Sequence, residues 1–138
     1  MVPVIAVGLA VVLVIFAVGG YMIYNYVFPM AEAIDCPDTE SVTAISLIQN
    51  NNISVTVEAK NFGTFLQNIS NAQPTRNWSV QDYPAAENYY TIEIDTPARQ
   101  YRYFVYTEDS QVYVESPYEG VYQANQQILD LVAKHFED

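Results

Sequence analysis

Residues 89–115 read YYTIEIDTPARQYRYFVYTEDSQVYVE, and this stretch decides the fold. Its side chains alternate with period two, as in strands that bury one face. In the first run Tyr90, Ile92 and Ile94 share a face, with Tyr89, Thr91, Glu93 and Asp95 on the other. In the second, Arg102, Phe104 and Tyr106 oppose Tyr101, Tyr103 and Val105. In the third, Val112 and Val114 point the same way. Thr96-Pro97-Ala98 and Glu108-Asp109-Ser110 separate the runs with turn chemistry, so the spacing predicts an antiparallel meander.

Towards the N-terminus, residues 42–48 and 53–57 are rich in β-branched side chains and flank Gln49-Asn50-Asn51-Asn52. Asn tolerates positive φ, and the pattern predicts a hairpin. Phe62, Phe65, Leu66 and Ile69 then recur at helical spacing, predicting a helix that stops before Pro74. Residues 73–87 read as a long loop carrying Trp78, Tyr83 and Pro84. After a turn at residues 116–120, Ala124, Ile128, Leu131, Val132 and Phe136 predict a last helix from about Gln123 to Phe136. The order β-β-α-β-β-β-α implies an α+β domain: an antiparallel sheet of about five strands with two helices on one face. The Tyr-bearing face is then expected to meet solvent.

Ahead of this domain, residues 2–28 hold no charged side chain, and the first charge is Glu32. About 20 apolar residues cross the ~30 Å hydrocarbon core as a helix, so this segment is long enough to span a membrane. Tyr21, Tyr24 and Tyr26 gather at its C-terminal end, where amphipathic rings suit the headgroup level. A cleaved secretory signal has a basic start and a shorter apolar core, neither of which is present. Residues 1–30 are therefore expected to be a transmembrane anchor, 31–40 an acidic linker, and 41–138 the extracytoplasmic domain. Glu32, Asp35, Asp38 and Glu40 follow the span with no Lys or Arg before Lys60. Cytoplasmic flanks favour Lys and Arg, so the domain is placed outside the cell membrane in a single-pass arrangement.

All 5 basic and 16 acidic residues lie beyond the apolar segment, giving the domain the whole net charge of −11. Such charge argues against nucleic acid as a partner. Cys36 is the sole cysteine and His135 the sole histidine, which rules out an internal disulfide and any multi-His metal centre. No cofactor motif and no catalytic constellation stand out. Glu93 and Asp95 share a strand face, but paired acids on a strand are ordinarily solvated, and Glu108-Asp109-Ser110 lacks the ligand spacing of a calcium loop.

Several stretches resemble an uncharacterised extracytoplasmic domain family of Gram-positive bacteria, a family of unknown function usually found behind a membrane anchor. They are Val42-Thr43-Ala44-Ile45-Ser46, Ser70-Asn71-Ala72-Gln73-Pro74-Thr75-Arg76, Tyr89-Tyr90-Thr91-Ile92, Tyr101-Arg102-Tyr103-Phe104-Val105-Tyr106 and Tyr113-Val114-Glu115-Ser116-Pro117-Tyr118-Glu119-Gly120. The resemblance implies a bacterial, surface-facing location and supplies no activity.

The candidate ligand-binding residues are Tyr89, Tyr101, Tyr103, Arg102 and Trp78. Tyrosine offers amphipathic contact area at low entropy cost, and Arg a bidentate donor for carboxylate or phosphate. The competing reading is that the tyrosines are cross-strand stabilisers, that Arg102 pairs with Glu93 or Glu115, and that Trp78 plugs the core. The expected function is a non-enzymatic binding or accessory module, held to membrane lipid through residues 2–28 and facing an envelope protein, peptide or glycan. The alternative is a filament or assembly subunit packed through its apolar helix.

Overall fold

The computed structural model describes residues 3–50 and 52–137. The chain forms two compact units, Met1–Met30 and Ala31–Asp138. The first is the helix α1, Val4–Val27, whose 24 residues rise ~36 Å. Pro3 stands just before it in extended conformation, and its carbonyl accepts from Ala6 N at 2.9 Å. No side chain of α1 is buried. The helix is long and apolar enough to cross a membrane, which fits a single-pass anchor and a signal sequence alike.

The second unit is α+β. Its strands are β1 (Ala44–Gln49), β2 (Ile53–Thr56), β3 (Gln73–Pro74), β4 (Tyr90–Asp95), β5 (Gln100–Glu108), β6 (Gln111–Ser116) and β7 (Gly120–Ala124), with helices α2 (Phe62–Ser70) and α3 (Gln126–Ala133). They form one antiparallel sheet in the order β2-β1-β4-β5-β6-β7-β3. The hairpin, the meander and the helix at 62–70 lie where the residue pattern puts them. Asn50 turns the first hairpin at φ 48°, while Asn51 lies outside the described residues.

Seven strands and three α-helices, counting α1, replace the expected count. The two additional strands are β3, only two residues long, and β7. The turn expected at residues 116–120 is present, with Tyr118 at φ 63°, but Gly120–Ala124 forms a strand that overruns the expected helix start at about Gln123. Val121 and Tyr122 then pair with Glu115 and Val114 across the ladder. The last helix consequently starts at Gln126 and ends in a 3₁₀ turn over Lys134–Phe136.

The core lies between one sheet face and the helices. Ile45, Leu47, Ile92, Ile94, Tyr103, Val105, Val114 and Tyr122 pack against Phe65, Leu66 and Ile69 of α2 and Ile128 and Val132 of α3. Alternation along each strand delivers these residues to one side, and the 3.6-residue period delivers the helical set to meet them.

Most of the expected linker, residues 31–40, is bound to this domain through its first part. Ala31 N donates to Thr75 O at 3.1 Å, and Ile34 is buried in the core cluster. The Tyr122 hydroxyl donates to Glu32 O at 3.1 Å, and the Tyr103 hydroxyl donates to Asp35 O. A polar, acidic stretch can pack in this way because its backbone carbonyls satisfy two phenols that would otherwise be buried without a partner. Arg99 adds an exposed pair to Asp35 at 3.5 Å and stacks over the Tyr101 ring at 4.0 Å.

Candidate functional site

The helix-free face of the sheet is not bare. Phe104 and Tyr106 point to it from β5, yet they are 1% and 6% exposed because the segment between β3 and β4 folds back across them. Tyr83 and Tyr89 contact the Phe104 ring at centroid distances of 5.9 and 5.4 Å, and Pro84 of the same loop is buried. The loop is tied to the β6–β7 turn. Val121 N donates to Asn77 O at 3.1 Å, Tyr118 N to the buried Ser79 Oγ at 3.3 Å, and Tyr118 Oη to Asp82 at 2.6 Å. The Asp82 carboxylate raises the Tyr118 phenol above its ordinary pKa.

Between this loop and the sheet lies a cavity of about 340 Å³. Trp78 on the loop and Tyr106 and Tyr113 on the adjacent strands β5 and β6 supply aromatic walls. Tyr106 and Tyr113 are register partners with ring centroids 5.9 Å apart. Glu115 lines it as a buried carboxylate, 3% exposed, and Glu108 and Asp109 bring two more acids from the β5–β6 turn. That turn holds Asp109 and Ser110 at φ 50° and 65°, the mirror-image geometry that joins two adjacent strands in two residues. Burial and the neighbouring Glu115 carboxylate raise the Tyr106 pKa well above the phenol range, so Tyr106 stays a neutral donor. None of the five basic residues of the chain lines this cavity. Among the described residues no group of three His, Cys, Asp or Glu is placed to hold a metal ion.

The five residues singled out from sequence do not converge. Tyr103 is 1% exposed and belongs to the core, and its partly buried neighbour Tyr101 stacks on it at 6.5 Å. Both lie on the helix-bearing face. Arg102 sits on the opposite face, paired with Glu93 at 3.2 Å. Tyr89 lines a separate groove of about 470 Å³ beside α3, and Trp78 alone of the five lines the cavity under the loop. The expected solvent-facing tyrosine sheet is therefore absent: Tyr103, Tyr106 and Tyr122 are all buried. The residue pattern alone does not single out Tyr106 and Tyr113 as candidate binding residues or join Glu108, Asp109 and Glu115 to them. The hairpin register through Glu108-Asp109-Ser110 was the available signal, since it sets residue 106 opposite 113 and 104 opposite 115.

A family profile named DUF5301, described as "Domain of unknown function (DUF5300)", matches residues 30–123. The chain belongs to the DUF5301 family. The match begins at the segment that packs onto the sheet, and it takes in the loop and the cavity-lining strands. A solved structure, the NMR structure of a protein from Ruminococcus gnavus, is similar to the DUF5301 domain at 31% identity and a TM-score of 0.58. The similarity covers 67% of this chain and 91% of that one. No curated protein matches the chain.

Proposed function

We propose that this chain is a non-enzymatic extracytoplasmic binding module, anchored in the cell membrane by α1, whose ligand sits in the cavity between Trp78 and the β5–β6 hairpin. One observation carries the reading. Among the described residues of the second unit, the large exposed apolar side chains are Ile53, Trp78, Val80, Tyr83 and Tyr118. Four of these five lie on the 78–83 loop or on the turn hydrogen-bonded to it, so exposed apolar surface concentrates on the loop that roofs the cavity and its anchoring turn, and Trp78 among them lines the cavity itself. Concentrated patches of this kind mark interaction sites, whereas scattered ones need no explanation. The volume is at the lower end of the ~300–1,000 Å³ typical of small-molecule sites, which suits a single side chain or sugar-sized group.

The acidic segment after α1 and the lack of basic residues before Lys60 support the outward orientation. The binding reading is tested by amide and indole NMR of the full chain in detergent micelles, titrated with a panel of neutral, anionic and cationic fragments. Shifts gathered at the Trp78 indole and on Tyr106, Tyr113 and Val121 amides support it. Shifts scattered over the domain, or confined to the groove beside α3, contradict it.

A further inference from the structure

Resting on that reading of the cavity, we propose that its ligand is cationic: the alkylammonium of a lysine side chain on a basic peptide. A formed pocket, aromatic walls and three acids with no Lys or Arg among the lining residues coincide here. Trp78, Tyr106 and Tyr113 supply π faces, and a cation within about 6 Å of such a ring is attracted by its quadrupole, most strongly by Trp. Glu108, Asp109 and Glu115 supply acceptor oxygens, and an ammonium brings three donors and no acceptor, which matches an acceptor-rich wall. No Lys or Arg of the chain lines the pocket to neutralise these acids. Elsewhere the domain does pair its cations, Lys60 with Glu58, Arg99 with Asp35 and Arg102 with Glu93. The acids here are also not set as a metal cluster. An anionic or carboxylate ligand would meet three like-charged side chains, with only the neutral Asn77 and Gln81 amides and the tyrosine hydroxyls to set against them, and the chain's net charge of −11 would repel it on approach while drawing in a basic peptide.

The alkyl stem has a place as well. Trp78 is 56% exposed at the mouth, and Ala85, Ala86 and Val121 are the apolar part of the remaining lining, beside Asn77 and Gln81, so four methylenes can lie against apolar surface while the ammonium reaches the acids.

Trp78 is the only tryptophan in the chain, so its fluorescence reports this one site. The full chain in detergent micelles is titrated with Nα-acetyl-lysine methylamide and, separately, with its Nε-acetylated form. A saturable change with the cationic probe only is expected, weakened about tenfold in the Glu108→Gln/Asp109→Asn double variant, as the loss of a charge-assisted contact would give. Glu40→Gln, distant in sequence and exposed, should leave it unaltered. Both probes binding alike would overturn the charge selection while leaving a binding cavity in place. A cationic response undiminished in the double variant shows that the turn acids do not hold the probe and also overturns the proposal. No response from either probe overturns it too, and the fragment titration then decides separately whether the cavity binds anything. The double variant lies in an exposed turn, where Asn tolerates the positive φ of Asp109, so its folding can be checked by the same tryptophan signal.

Discussion

The Tyr122 hydroxyl, at the end of a side chain 2% exposed, donates to the backbone carbonyl of Glu32 at 3.1 Å. With Tyr103 doing the same to Asp35, two core tyrosines fasten the segment that follows α1 to the sheet. Tyr122→Phe keeps the ring and removes the donor. A loss of about 1 kcal/mol in stability is expected, with faster amide hydrogen exchange over residues 31–36 than over β4 and β5. Unchanged exchange in that segment would show that the phenol is not what holds it.

The same segment explains a glycine. A Cβ added at Gly120 would stand 2.8 Å from the Ala31 Cβ, closer than such atoms approach. Gly120→Ala is expected to cost roughly 1–3 kcal/mol by overpacking, and Ala31→Gly in that background to recover most of it. Chemical denaturation of the two single variants and the double tests this. Additive losses would place the strain elsewhere.

Cys36 is half-buried, with its thiol 3.8 Å from Leu66 O, and desolvation pushes its pKa up to about 11. The thiolate is the reactive form, so alkylation at pH 8 should run about 100-fold slower in the folded chain than in denaturant. Burial also raises the Tyr103 and Tyr122 phenols above their ordinary range. Each of these groups holds its proton longer when folded. Their contribution to stability is therefore intact below pH ~9, where the unfolded thiol begins to ionise, and falls as pH rises through ~11. The slope approaches about 1.4 kcal/mol per pH unit for each proton released. Thermal melts between pH 7 and 11 check this, and a flat profile would contradict it.

Two substitutions separate packing from surface charge. Phe65 is fully buried against the sheet, and Phe65→Ala should cost about 3–5 kcal/mol. Arg102 and Glu93 form a partly exposed pair screened by solvent, so Arg102→Gln should cost no more than about 1 kcal/mol. Urea midpoints for both provide the comparison.

These contrasts show which parts of the molecule the sequence makes legible. Phe62, Phe65, Leu66 and Ile69 announce α2 because a helical face imposes its own period, and all four are buried. The alternation at 90–95 and 100–107 likewise announces the meander. β7 is not legible, since Gly120-Val121-Tyr122-Gln123-Ala124 runs directly into the helical pattern of α3 and its pairing depends on a distant register. β3 is two residues long and contains Pro74, which offers no local strand signal. The attachment of residues 31–38 rests largely on backbone carbonyls, which no side-chain pattern encodes. The cavity is hidden for a related reason. Its roof is an aperiodic loop, and alternation cannot tell which sheet face that loop will cover, so Trp78 was identified while its partners Tyr113 and Glu115 were not.

The central claim is that the pocket at Trp78 is where this domain meets its ligand. The most direct test replaces Trp78 with p-benzoylphenylalanine in intact cells, with Ile53, exposed on edge strand β2, replaced likewise as the reference position. After irradiation the purified chain is examined by intact mass. Discrete adducts at position 78 with none at position 53 are predicted. Equal labelling at the two positions, or none at position 78, would contradict the account.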